Sequence, residues 1–356
     1  MPLSASEAIS PAMEHAKAQL FRPFRFAQWW RLAFVGLLAG ELSSGGCNSN
    51  FGGPFRHGSH HSHVPDGVFV PAPMAQHLVL LAALIVAGIV LWFGLVVVFT
   101  YISSVMRFVL FDSVVSRECH VRKGWTRRAG IGFRLFQWQL VMIFLTLGAL
   151  VMLIGIPAMF IWNVGWFSQP RDHILGFVLT GFVVLVLVSL LIVLMVAINV
   201  MTKDFVVPQM AIEGIGPVDG WRRLLARVNT EKGGYAGYLA MKFVLAIAAA
   251  LLFGIITVIV ILIPAITVGI AAVVIAKSGV FAQWTWHAWT IAAAIIAGLV
   301  ALIVLVFIIA MIYVPAIVFF PAYSIYFFAP RYPPLADLLW PSPPAPIPPA
   351  PSPQPL

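Results

Sequence analysis

The chain has 356 residues, 61% of them hydrophobic and 9% charged, with a formal net charge of +9. Soluble domains run at about 45 to 50% apolar and about 25% charged, so this composition excludes a soluble globular protein and places the chain in the integral membrane class. The positive charge lies beside apolar runs rather than in a polar domain, which points to membrane lipids as partners and to no nucleic acid.

Residues 1–17 are polar, and Glu7 and Glu14 with no long apolar core argue against a secretory leader. Next comes "LFRPFRFAQWWRLAFVGLLAG", which interleaves aromatics with Arg22, Arg25 and Arg31 before a short apolar run. That run spans, over about 32–45, if Arg31 snorkels at one end and the small residues of "ELSSGG" extend the helix at the other. A Gly-, Ser- and His-rich loop follows, and then apolar runs over about 77–106, 135–162, 174–201, 243–276 and 288–312. These runs reach the roughly 20 residues that cross a hydrocarbon core, and they are continuous rather than alternating, which favours helices over a β-barrel. Pro157 and Pro264 fall late in their runs, where each is expected to kink its helix by removing a backbone donor. From Pro330 the composition changes: 12 of the last 27 residues are proline, giving an extended or disordered tail, 330–356, after a membrane domain of 18–329.

Between the spans, Lys and Arg divide 18 to 3. The excess marks the cytoplasmic side, so the sequence predicts a cell-membrane protein with both termini cytoplasmic, on condition that the short first segment crosses. The segments leading into the spans share a Trp-x-Arg element: Trp29 with Arg31, Trp125 with Arg127, and Trp221 with Arg223. The returning ends rhyme as well, in "VMRFVLFDSV", "VMTKDFVVPQM" and, more loosely, "AMIYVPAIVFFP". The expected fold is therefore all-α, a polytopic transmembrane bundle of six helices arranged as three parallel-repeat hairpins with amphipathic interfacial segments.

Candidate chemistry is sparse. His57, His60, His61 and His63 crowd one loop, but with no cysteine or rigid scaffold at ligand spacing they read as low-complexity sequence, and no metal site or cofactor is expected. Cys47 and Cys119 fall on opposite sides of the predicted membrane and read as free thiols. Apart from Glu41 at the outer end of the short first one, none of the apolar runs contains Asp, Glu, Lys or Arg, which argues against an ion-coupled pump. Thr146, Thr180, Ser189, Asn199 and Thr257 read as interhelical hydrogen-bonding groups, while Trp162, Trp166, Trp284, Trp286 and Trp289, with His287, form an interfacial aromatic belt. Asp112, Glu118, Asp204, Glu213, Asp219 and Glu231 are scattered among basic residues and read as solvated loop faces, and no catalytic motif is found.

In "LFRPFRFAQWWRLAFVGLLAG" and "DFVVPQMAIEGIGPVDGWRRL" the chain resembles uncharacterised prokaryotic multi-pass proteins related to the membrane domain attached to some glycerophosphodiester phosphodiesterases. The resemblance covers residues 18–328. It implies a lipid-associated membrane module and transfers no catalytic residue, because the phosphodiester chemistry of those enzymes belongs to a separate soluble barrel.

The expected function is a non-enzymatic module that engages lipid headgroups, or a protein partner, through a basic and aromatic cytoplasmic face. Its residues are Arg22, Arg25, Trp29, Arg31, Trp125, Arg127, Arg128, Trp221, Arg222 and Arg223. The Pro-rich tail is a second place for a protein partner. The competing expectation is a permease or exporter of a neutral or amphipathic solute, its helices broken near Pro157 and Pro264.

Overall fold

A computed structural model describes residues 3–41, 72–166, 171–277 and 287–340. The His-rich loop, Cys47, Trp284, Trp286 and the predicted tail after Trp340 lie outside the described residues, while the first part of that tail is corrected: Pro333–Leu339 is helical, with Tyr332 and Leu335 buried in the core. Every regular element described is helical. Among the described residues, five helices are long and apolar enough to cross a membrane, over Leu80–Ser116, Val121–Asn163, Ile174–Glu213, Lys232–Ile270 and Trp289–Ile312.

Two short helices, α1 (Ile9–Phe21) and α2 (Phe26–Ala39), open the chain. The first predicted span is corrected here: α2 has 14 residues and ends at Gly40, whose φ of 76° terminates the helix in the left-handed region. At 1.5 Å per residue α2 is about 21 Å long, too short for the hydrocarbon core. It lies antiparallel to the last turns of α3 (Ala72–Ser116) rather than along the apolar length of that helix. Gln28 Nε2 donates to the Arg117 carbonyl at 2.7 Å, while at the other end Ser103 Oγ and Arg107 Nε donate to the Ala39 carbonyl at 3.2 and 3.3 Å.

The chain turns at residues 117–120 into α4 (Val121–Asn163), which leaves along the span, and α5 (Ile174–Met201) returns. A π-helical turn, Thr202–Val206, leads through α6 (Val207–Glu213) to the amphipathic α7 (Pro217–Thr230). Then α8 (Lys232–Lys277) leaves and α9 (Ala288–Ile312) returns, followed by α10 (Val314–Phe328) and α11 (Pro333–Leu339). Both α4 and α8 run unbroken through Pro157 and Pro264.

Burial is concentrated at one end. The core comprises α1, α2, the last turns of α3, the π turn with α6, α10 and α11, together with Leu135, Leu224, Tyr235 and Tyr238 from the helices between them. The apolar lengths of the five spans instead expose Leu, Ile, Val and Phe side chains to their surroundings. The molecule is therefore a packed head from which long helices extend, and lipid is the solvent that makes their exposed sides favourable.

The head is built three times over. Phe108-Val109-Leu110-Phe111 near the end of α3 and Phe205-Val206-Val207-Pro208 in the second copy match at fixed offset, and Val318-Phe319-Phe320-Pro321 of α10 stands in the third place. These three segments pack against one another. The incoming helices repeat in step: the residue three after each tryptophan, namely Leu32, Arg128 and Leu224, is buried, while Arg31, Arg127 and Arg223 are exposed. Gly124 of α4 sits on Val109 and Gly220 of α7 sits on Val206, and α2 meets α10 through Gly36 against Ile317. Thus the beginning of the chain occupies, after α10, the position that α4 holds after α3 and α7 holds after α6. The three units close into a ring, and α1 seals the joint against α10.

Candidate functional site

Where the three returning segments meet, the head contains a buried charge cluster. Arg107 of α3 and Asp204 of the π turn occupy matching places in the first two units, and Ile317 of α10 stands in the third. Around them are Glu41, Lys203 and Lys242, and together with Leu110, Phe111, Val207, Pro208, Phe320 and Pro321 they line a small cavity of about 30 Å³. That volume exceeds the roughly 10 to 15 Å³ needed to hold one water.

The π turn explains how two adjacent residues serve two different partners. Lys203 Nζ lies 2.7 Å from Glu41 Oε1, while Asp204 pairs with Lys242 and accepts from Tyr238 Oη at 2.9 Å. Single π turns recur at functional sites because the widened helix re-aims its side chains. Glu41, Asp204 and Lys242 are buried, and Lys203 keeps only 13% of its side chain exposed. Two carboxylates thus face three cations. Arg107 is the third cation: Nε reaches the Ala39 carbonyl, but among the described residues no carboxylate lies within ion-pair distance and the buried Nη1 has no hydrogen-bond partner.

Arg107 also lines the head end of an open groove between α4 and α5, with a volume of about 510 Å³. Its polar lining is densest near the head, in Arg107, Gln139, Asn199 and Thr202, with Thr146 farther along, and its far end is apolar, through Leu147 and Leu150. Gln139 is held by Ser104 Oγ, which donates to its Oε1 at 2.7 Å.

The residues predicted from sequence divide into two sets. Arg22, Arg25, Arg31, Arg127, Arg222 and Arg223 are exposed on the head. Arg222 meets Asp219 at 3.5 Å and Arg223 pairs with Glu213. The tryptophans are structural: Trp29 Nε1 donates to the Leu20 carbonyl at 3.0 Å, Trp221 Nε1 donates to Thr202 Oγ1 at 3.1 Å, and the Trp125 ring stands edge-on to Tyr101. Arg128 is not a surface residue. Its guanidinium grips Asp112 in a two-point bond at 2.8 and 2.7 Å and donates to the Ala211 carbonyl at 2.6 Å, joining α4 to α3 and α6. Asp112 and Asp204, expected on solvated loops, are both engaged inside the head. Glu231 likewise takes a two-point bond from Arg331.

Sequence reasoning misses the cluster because hydropathy bounds the long apolar runs at their charges, whereas α3, the π turn that continues α5, and α8 carry those charges on continuous helix. The available signal was the register of "RFVLF" against "DFVVP", which sets Arg107 opposite Asp204. Cys119 is buried, and burial pushes its thiol pKa up, consistent with an inert free thiol. Among the described residues, no group of three or more His, Cys, Asp or Glu is placed to hold a metal ion.

A family model described as a family of unknown function (DUF7544) matches residues 3–338, and the chain belongs to that family. No curated protein and no solved structure matches it.

Proposed function

We propose that this member of a family of unknown function is a non-enzymatic, multi-pass module of the cell membrane, with its head on the cytoplasmic side, that gathers anionic lipid around itself. One observation carries the reading. Arg22, Arg25 and Arg127 are exposed on the head and make no ion pair among the described residues, while the tryptophan rings beside them are committed to packing. A buried or paired arginine is spent on the fold; these three retain their charge for a partner outside it. Each Lys or Arg near an anionic membrane surface contributes about 1 kcal/mol, an attraction that falls off over a Debye length of about 8 Å at physiological salt. The excess of basic residues on the head side supports its placement in the cytoplasm, where anionic headgroups are met.

The test is lipid analysis of the purified protein and of a variant with Arg22, Arg25 and Arg127 all changed to Gln. The variant is expected to co-purify with severalfold less anionic lipid relative to neutral lipid, the deficit growing at low ionic strength. An unchanged ratio at both low and high salt would overturn the reading. The permease alternative gains no support from the prolines, since neither Pro157 nor Pro264 breaks its helix.

A further inference from the structure

We infer that the α4–α5 groove is a stoichiometric binding site for one anionic phospholipid of the leaflet on the head side, with its phosphate at Arg107 and one acyl chain laid along the groove. The inference rests on the lipid reading above, but it concerns an internal site rather than the exposed arginines.

Charge complementarity selects the headgroup. Glu41 is matched with Lys203 and Asp204 with Lys242, so among the described residues Arg107 supplies the unbalanced positive charge of the cluster. Its Nη1 is buried without a hydrogen-bond partner among the described residues, which is unfavourable for a charged group until an acceptor arrives. A phosphate oxygen is such an acceptor, and guanidinium to phosphate is among the strongest hydrogen-bonded pairs. A neutral zwitterionic headgroup brings its own cation to a place that already has three.

The dimensions select the chain. From Gln139 to Leu150 the groove follows one face of α4 for about 16 Å at 1.5 Å per residue. A single leaflet is about 15 Å thick, half of the roughly 30 Å hydrocarbon core. The polar end is at the head and the apolar end points away from it, the same polarity as a lipid of that leaflet. Ile143 and Leu147 line the groove while remaining exposed to the side, so a lipid can slide in from the bilayer without crossing the head.

Three proteins decide the matter: the parent, Arg107→Gln, and Ile143→Trp, which fills the groove from an exposed position and leaves the cluster intact. Each is delipidated in detergent, titrated with phosphatidylglycerol, phosphatidylcholine or a long-chain fatty acid, and read by native mass spectrometry. The parent is expected to retain one phosphatidylglycerol, with at least a tenfold weaker Kd for phosphatidylcholine and for fatty acid. Both variants are expected to lose at least tenfold in phosphatidylglycerol affinity. Equal binding of phosphatidylcholine, preference for the fatty acid, or an Ile143→Trp protein that binds like the parent would each overturn the site. Should Arg107→Gln not fold, Ile143→Trp and the headgroup comparison still decide. The three-arginine variant separates the two readings: it keeps the single tight lipid if the groove is the site, whatever it does to bulk lipid.

Discussion

Lys242 and Asp204 show how the head holds charge where water is scarce. Their side chains keep 9% and 5% exposure, and Asp204 also takes the Tyr238 hydroxyl. Burying an ion pair yields little net stability, but deleting one partner strands the other, at a cost of about 3 to 5 kcal/mol. Lys242→Met is therefore expected to lower the unfolding free energy by about that much, as measured by thermal or denaturant unfolding in detergent. Adding Asp204→Asn removes the stranded charge and keeps an acceptor for Tyr238, so the double variant should regain most of the loss. A double variant as unstable as the single one would show that Lys242 acts through packing alone. Arg128 makes the complementary point. It occupies the place held by Leu32 and Leu224 in the other two units, and it is tolerated in the core because Asp112 and the Ala211 carbonyl consume its donors.

Among the elements, the joints between incoming and returning helices depend on glycine. A Cβ on Gly220 would stand 2.8 Å from Val206 Cγ1, and one on Gly124 would stand 3.1 Å from both methyls of Val109. Gly148 and Gly254, on the spans, have nothing within 4 Å. Gly220→Ala is expected to destabilise by about 1 to 3 kcal/mol through overpacking, with Gly124→Ala following in the same direction and less strongly. Gly148→Ala and Gly254→Ala should be neutral or should stabilise slightly through helix propensity. Thermal unfolding of the four proteins checks the contrast, and equal effects at joints and spans would dismiss the joint as the cause. The recurring Gly-Trp of "KGWTRR" and "GWRRLL" was visible in the sequence, and so were all five long helices, α9 to its ends and the other four short of their true ends on the head side. The failure of α2 as a span was harder to see. Its apolar residues Leu32, Ala33, Val35, Gly36 and Ala39 satisfy a membrane pattern and a core pattern equally well, and only packing against α3 and α10 chooses between them. The charge cluster was hidden for a related reason: hydropathy ends a span at its first ion, but hydrogen bonding along the backbone does not.

At the scale of the whole molecule, the ring closes where α1 meets α10, between parts of the chain about as far apart in sequence as the described residues allow. The Leu3 carbonyl accepts from Arg331 Nη1 at 3.0 Å, and the Ala5 carbonyl accepts from Tyr323 Oη at 2.9 Å. His15 fastens the same joint from the middle of α1: Nε2 lies 2.9 Å from the Val114 carbonyl and Nδ1 lies 3.2 Å from Tyr326 Oη. The first contact requires Nε2 to donate, and Nδ1 then accepts from the tyrosine, which is the neutral imidazole. Burial, opposed by the Val114 bond and aided by Arg117, holds the His15 pKa below its ordinary value of 6.5. A folded-state pKa below the unfolded one means that the unfolded chain takes up the proton first. The contribution of His15 is therefore complete above a pH of about 6.5 and declines as the pH falls below it. Acid should thus loosen the closure before it disturbs the aromatic core, which has no other buried histidine among the described residues. The measurement is the thermal midpoint of the parent and of His15→Gln at pH values of about 7.5 and 5.5. The parent should lose more of its midpoint than the variant on acidification, so that the gap between the two proteins narrows. A gap that is the same at both pH values would mean that His15 does not titrate across the joint, and that the ring is closed by Arg331, Tyr323 and apolar packing alone.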